Sequence, residues 1–190
     1  MVTGFSLVLL LEMSPKSLVD AILCSLKAYY WIFVEVAEAL KSFTSKTDNQ
    51  FFRHHSTLAC KRVESIVEGL KLTFQTLGFS LEDRPSRDWL VSVAGTYPVR
   101  VLENLKKDLE ELTSNVDKIF SGRPQLLTGV LEEYARMADM ASHMIRVYKN
   151  YLAREKPDRF KRAVPILENV ARDLDIIVLR HREITETLKT

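Results

Sequence analysis

Three groups of residues in this chain have the types and spacings that chemistry would need. His54 and His55 stand side by side in RHHSTLACKR. Imidazoles ligate metals and move protons near neutral pH. Neighbouring residues on a helix point about 100° apart, however, and neither histidine has Asp, Glu, Cys or His three or four residues away on its own face. His55 falls between Phe52 and Ala59, so it reads as a core-edge histidine with one hydrogen bond. A di-iron bundle needs Glu-x-x-His on its helices, and no such spacing occurs here. These residues lead us to assign no metal, no cofactor and no catalytic residue.

The second group is YKNYLAREKPDRFKRA, residues 148–163. It sets Lys149, Arg154, Lys156, Arg159, Lys161 and Arg162 against Glu155 and Asp158, six minus two or a local charge of +4, with Tyr151 and Phe160 interleaved. A cationic turn with aromatics can hold phosphates or stack bases, which makes an anionic partner or nucleic acid the candidate ligand. Cations also favour the negative end of a helix dipole, so the same residues fit a solvated helix end.

The third group is Glu132, Arg136, Asp139 and His143, spaced by four, three and four residues. The stretch from Arg136 to His143 resembles the Arg-x(4–6)-His signature of HEPN-type ribonucleases. Those are helical-bundle proteins that join two copies of the motif across a dimer to cleave RNA. The resemblance spans only Arg136 to His143 of the 190-residue chain, and it implies an RNA-cleaving role for Arg136 and His143. Read from the residues alone, the spacing is a ladder of opposite charges on a solvated face, each pair contributing about 0.2–0.5 kcal/mol.

Other chemistries lack their signatures. There is no phosphate-binding glycine loop, no G-x-S-x-G and no zinc spacing, and the six glycines are scattered singly. With 27 basic and 25 acidic residues the net charge is +2, which argues against a constitutive nucleic-acid coat. Cys24 and Cys60 lie among apolar neighbours without a C-x-x-C pattern and read as small buried thiols, at home in a reducing cytoplasm. The apolar run from Phe5 to Leu11 has neither a basic flank nor a small-residue cleavage site, so it makes a poor secretory signal. A membrane span takes about 20 apolar residues, and Asp20 and Lys27 interrupt the best window, Leu18 to Val34.

The elements that must position these groups are helices. Apolar residues recur at three-and-four spacing throughout, and no strand-type alternation appears. Ser14 and Pro15 start a first helix running to about Phe43, and Asp48 is the next cap. The second helix covers Phe51 to about Leu77, with Phe51 and Leu58 in its apolar row and Gly78 as its stop. A short helix spans Arg87 to Ala94. From Pro98, Leu102, Leu105, Leu109, Leu112, Val116 and Ile119 make a narrow seam suited to a helix on the outside of the bundle. Helices from about Gln125 to Arg154 and from Asp158 almost to the end complete an all-α, elongated up-and-down bundle. It has about five long helices plus one short helix, in a single domain of residues 1–190.

One stretch stands out from this pattern. AYYWIFVEVAEAL, residues 28–40, is apolar around most of a helix. Such a helix must be enclosed on most sides, and with the apolar lead-in before it the surplus suggests a second copy. The expectation is a homodimer meeting through Tyr29, Tyr30, Trp31 and Phe33. That makes the chain a non-enzymatic binding and assembly module acting by protein–protein contacts.

Overall fold

The computed structural model describes residues 15–81, 83–122, 124–155 and 158–189, with the side chains of 15–17, 115–122, 124–127 and 187–189 outside that description. Among the described residues there are six helices and no strands. They are α1 (Pro15–Lys46), α2 (Gln50–Leu77), α3 (Arg87–Ala94), α4 (Thr96–Gly122), α5 (Pro124–Leu152) and α6 (Asp158–Lys189). None is long and apolar enough to cross a membrane.

Local chemistry sets the boundaries. Pro15 opens α1, where its missing N–H costs nothing; the expected cap Ser14 lies outside the described residues. Asn49, not Asp48, caps α2: its side-chain oxygen accepts from the N–H groups of Phe51 and Phe52 at 3.0 and 3.2 Å. Asp48 instead sits 3.7 Å from the Arg53 guanidinium. Gly78 ends α2 at φ 77°, which lets the N–H of Phe79 reach back to the Phe74 carbonyl at 2.9 Å. The Ser86 hydroxyl accepts from Trp89 N–H at 3.2 Å and starts α3. Pro165 lies inside α6, which continues through it.

Side by side, the five long helices form a ring in the order α1, α2, α6, α5, α4 and back to α1, with α3 laid against α1 and α4. Short connections make chain neighbours antiparallel. The steps from α2 to α6 and from α1 to α4 are the long-range contacts that close the ring. α1 also reaches α5 across it, which accounts for its apolar circumference: Leu26, Ala28, Ile32, Phe33 and Val36 are wholly enclosed. This alters the expectation for the aromatic cluster. Tyr29 and Phe33 are 3% and 0% exposed within a single chain, so neither offers surface to a second copy. Tyr30 and Trp31 are partly buried, and the Trp31 indole N–H is fully enclosed. Of the narrow α4 seam, Leu102, Leu105, Leu109 and Leu112 are buried between α1 and α5; Val116 and Ile119 lie outside the described side chains.

Polar struts tie the ring at each seam. The Thr44 hydroxyl donates to Ser56 at 2.8 Å between α1 and α2, and Tyr148 OH donates to Ser25 at 2.8 Å between α5 and α1. Arg146 and Lys149 of α5 pair with Asp175 and Glu168 of α6. Glu35 of α1, only 14% exposed, is gripped by Lys106 of α4 and by Arg84 at 3.1 Å. Burial alone would raise its pKa, but the hydrogen bonds and charges of Lys106 and Arg84 outweigh that and hold the carboxyl below its ordinary value.

At the α2–α6 seam the backbones come close. Arg62 and Ser65 of α2 both bond the Asp173 carboxylate at 2.7 Å. One turn further on, a Cβ added to Gly69 would sit 2.5 Å from Cγ2 of Val170. A stiff β-branched neighbour cannot easily withdraw. Overpacking costs about 1–3 kcal/mol, against about 1 kcal/mol gained when Ala replaces Gly in a helix. Gly69→Ala is therefore expected to lower stability in urea unfolding by about 1 kcal/mol, and adding Val170→Ala should recover part of the loss in a double-mutant cycle. A Gly69→Ala protein more stable than the parent would show that the seam has slack.

Candidate functional site

Beyond the Gly69 contact, toward the start of α2 and the end of α6, the ring has an open-mouthed cavity of about 400 Å3. All five long helices contribute to it: Leu40 and Phe43 from α1, Phe52 to Ser65 from α2, Leu105, Leu109 and Leu112 from α4, Val130 to Tyr134 from α5, and Ile176 to Ile184 from α6. Its volume lies within the roughly 300–1,000 Å3 typical of small-molecule sites, and its walls are mostly aliphatic. The up-and-down topology explains this gathering, since it brings the end of α1, the start of α2, the end of α4, the start of α5 and the end of α6 to the same level.

A few polar groups converge there. Tyr134 is buried with its hydroxyl enclosed and without a hydrogen-bond partner among the described residues. Burial pushes its pKa well above the ordinary phenol value. Its ring meets His181 edge to face, with centroids 5.0 Å apart. His181 Nδ1 lies 2.7 Å from the Ile177 carbonyl, so its N–H is spent one turn back along α6. Burial lowers the His181 pKa, and that backbone bond opposes the shift only in part. Among the described residues Lys61, Arg62 and Arg180 are the charged residues of the lining, with no carboxylate beside them.

The residues singled out by spacing lie elsewhere, except one. His54 and His55 are both exposed; His55 rims the cavity with its ring tilted 55° against Phe51, centroids 4.3 Å apart, rather than sitting at the core edge. Among the described residues no three His, Cys, Asp or Glu side chains gather as metal ligands would. Cys60 is buried, whereas Cys24, also expected inside, is exposed.

Around the basic turn at the opposite end of the bundle, several charges are already engaged. Lys149 pairs with Glu168 and Lys161 with Asp158 at 3.5 Å. The Arg159 guanidinium lies over the rings of Phe79 and Phe160, 5.7 and 5.3 Å from their centroids. Arg154 and Arg162 are exposed, and Lys156 is outside the described residues. Arg136 and His143 lie on the exposed face of α5 as rungs of the charge ladder, 3.9 Å from Glu132 and 3.8 Å from Asp139.

A second surface feature lies on α2. Phe51, Leu58, Leu72 and Phe79, the last just past the helix, are between 40% and 57% exposed. Phe51 and Leu58 therefore leave the buried row in which their spacing had placed them. What spacing missed are Arg180 and His181. The signal for His181 was a lone imidazole at helical spacing between Ile177 and Ile184.

No family model, curated protein or solved structure matches the chain. Fold and site together define its class, an all-α helical bundle with an apolar cavity among its five long helices.

His181 gives the cavity wall a pH signature. Its folded pKa lies below the ordinary 6.5, so the unfolded chain binds this proton more readily. Stability is then full above pH 6.5 and is lost as pH falls toward the depressed folded value. Urea unfolding should show a loss between pH 7.5 and 5.5 that is smaller in His181→Gln. Equal pH dependence in the two proteins would mean that the imidazole is hydrated.

Proposed function

We propose that this protein is a non-enzymatic binding module whose ring of helices holds an apolar ligand. The cavity carries that proposal. Its walls come from five helices, so a ligand there meets every long element and buries its apolar part against them. Apolar surface transferred from water into such a site contributes about 25 cal/mol per Å2. A ligand that binds only the folded chain also stabilises it, by about 2.7 kcal/mol at one hundred times its Kd.

Decanol is a suitable neutral probe. Saturable binding by calorimetry with a negative heat-capacity change is expected, together with a rise in Tm. Ala59 is a small lining residue, and Ala59→Phe should fill the space and weaken decanol binding at least tenfold. Absence of saturable binding to the parent, or undiminished binding to a folded Ala59→Phe, overturns the proposal.

Self-assembly has its own support, on α2 rather than α1. Phe51, Leu58, Leu72 and Phe79 are spaced symmetrically about Ser65, by seven and fourteen residues on either side. An antiparallel two-fold contact of this face would set Leu58 against Leu72 of the second copy, with Phe51 near the end of the partner helix. A two-fold interface requires that self-complementarity. Leu72 is not among the cavity's lining residues, so Leu72→Glu separates the two uses. Light scattering should give a two-chain mass for the parent and a one-chain mass for the variant. A one-chain parent removes the dimer and leaves the cavity proposal standing.

A further inference from the structure

We infer that the ligand of this cavity is an amphiphile with a single anionic headgroup, a long-chain carboxylate or phosphate ester held chain-inward with its charge at the Lys61 and Arg180 rim. This rests on the proposal that the cavity binds an apolar ligand, and adds the headgroup.

Charge balance across the ring is the starting observation. Along the seams, cations are matched by carboxylates: Lys41 with Glu64, Lys106 with Glu35, Arg146 with Asp175, Lys149 with Glu168. The cavity breaks that rule, because among the described residues its lining holds Lys61, Arg62 and Arg180 and no Asp or Glu. Arg62 is committed to Asp173 at 2.7 Å, and Asp173 also takes the Ser65 hydroxyl. Lys61 of α2 and Arg180 of α6 are left, both exposed and neither with an ion-pair partner among the described residues. They come from two helices that line the cavity, one from each.

A neutral ligand would gain nothing from that pair. A cation would be repelled, and an anionic head deep inside would face aliphatic walls. An anionic head at the rim meets two donors, the stronger kind of hydrogen bond being the charge-assisted one, while its chain lies against the Leu, Ile and Val side chains below. The bland alternative is that Lys61 and Arg180 merely lay their aliphatic stems over apolar surface, in which case the headgroup charge makes no difference.

Calorimetry on the full chain with decanoate, decyl phosphate, decanol and decyltrimethylammonium decides the point. At low salt at least one of the two anions should bind tenfold or more tightly than decanol, the cation should bind weakest, and high salt should narrow the gap. The double variant Lys61→Met with Arg180→Met should remove the preference for the anion and keep decanol binding. Comparison of decanoate with decyl phosphate tells which headgroup the rim takes. Decanol binding as tightly as both anions, or a double variant that keeps the anion preference, overturns the inference while the apolar-ligand proposal survives. Failure of all four probes removes both.

Discussion

Closure of the ring through α2 and α6 is the constraint on which the remaining architecture depends. Every other long-helix step round the ring, apart from α1 to α4, joins neighbours in sequence, which short connections would bring together anyway. Gly69 makes the α2–α6 contact possible by leaving out a side chain where Val170 needs the space. Asp173 makes it specific, accepting from Arg62 and Ser65 a turn or two away. A small residue sets how near the two backbones come, and the shared carboxylate sets their register. With the ring closed, α1 is packed by α2, α4 and α3 and reached by α5 across it, so its wholly enclosed residues have somewhere to be buried.

The cavity follows from the same closure. Two rods held tightly at one level and carrying larger side chains at another cannot stay equally close along their length. From Gly69 toward Phe52, α2 presents Ser65, Arg62, Ala59 and Ser56 to the interior or its edge. Small and polar residues fill less volume than leucines would, and α6 answers with Arg180 and His181, whose polar atoms resist burial in hydrocarbon. Protein interiors otherwise run close-packed, so about 400 Å3 left open among aliphatic walls lowers stability relative to a filled core.

Much of this fold was legible in the order of residues. The three-and-four spacing, Gly78, Ser86 and Pro15 marked the helices because they act locally, within a turn of the residue concerned. Asn49 in place of Asp48 is a miss of the same local kind: both side chains can cap, and which one does is decided by where the chain turns. Leu58 and Phe51 were misplaced for a different reason. A helical row wider than the groove it meets must leave its edge in solvent, and periodicity gives the row without the groove. Tyr29 and Phe33 are covered within one chain, because the sequence shows how much apolar surface exists, but not how many neighbours the chain itself supplies to cover it.

The cavity was illegible for a deeper physical reason. Its lining is drawn from five helices, at positions that share no spacing along the chain, and what joins them is the level at which each helix crosses the ring. Residues such as Lys61 and Arg180 look like ordinary solvated charges one at a time, and 119 residues separate them. Their common feature, a missing carboxylate partner, becomes visible only against the seams where such partners are present. Ionic bookkeeping across a packed structure is thus informative where a count of charges is not. A chain close to neutral overall still carries a one-sided field wherever cations line a cavity and the carboxylates around them pair elsewhere, as Asp173 does with Arg62 and Glu64 with Lys41.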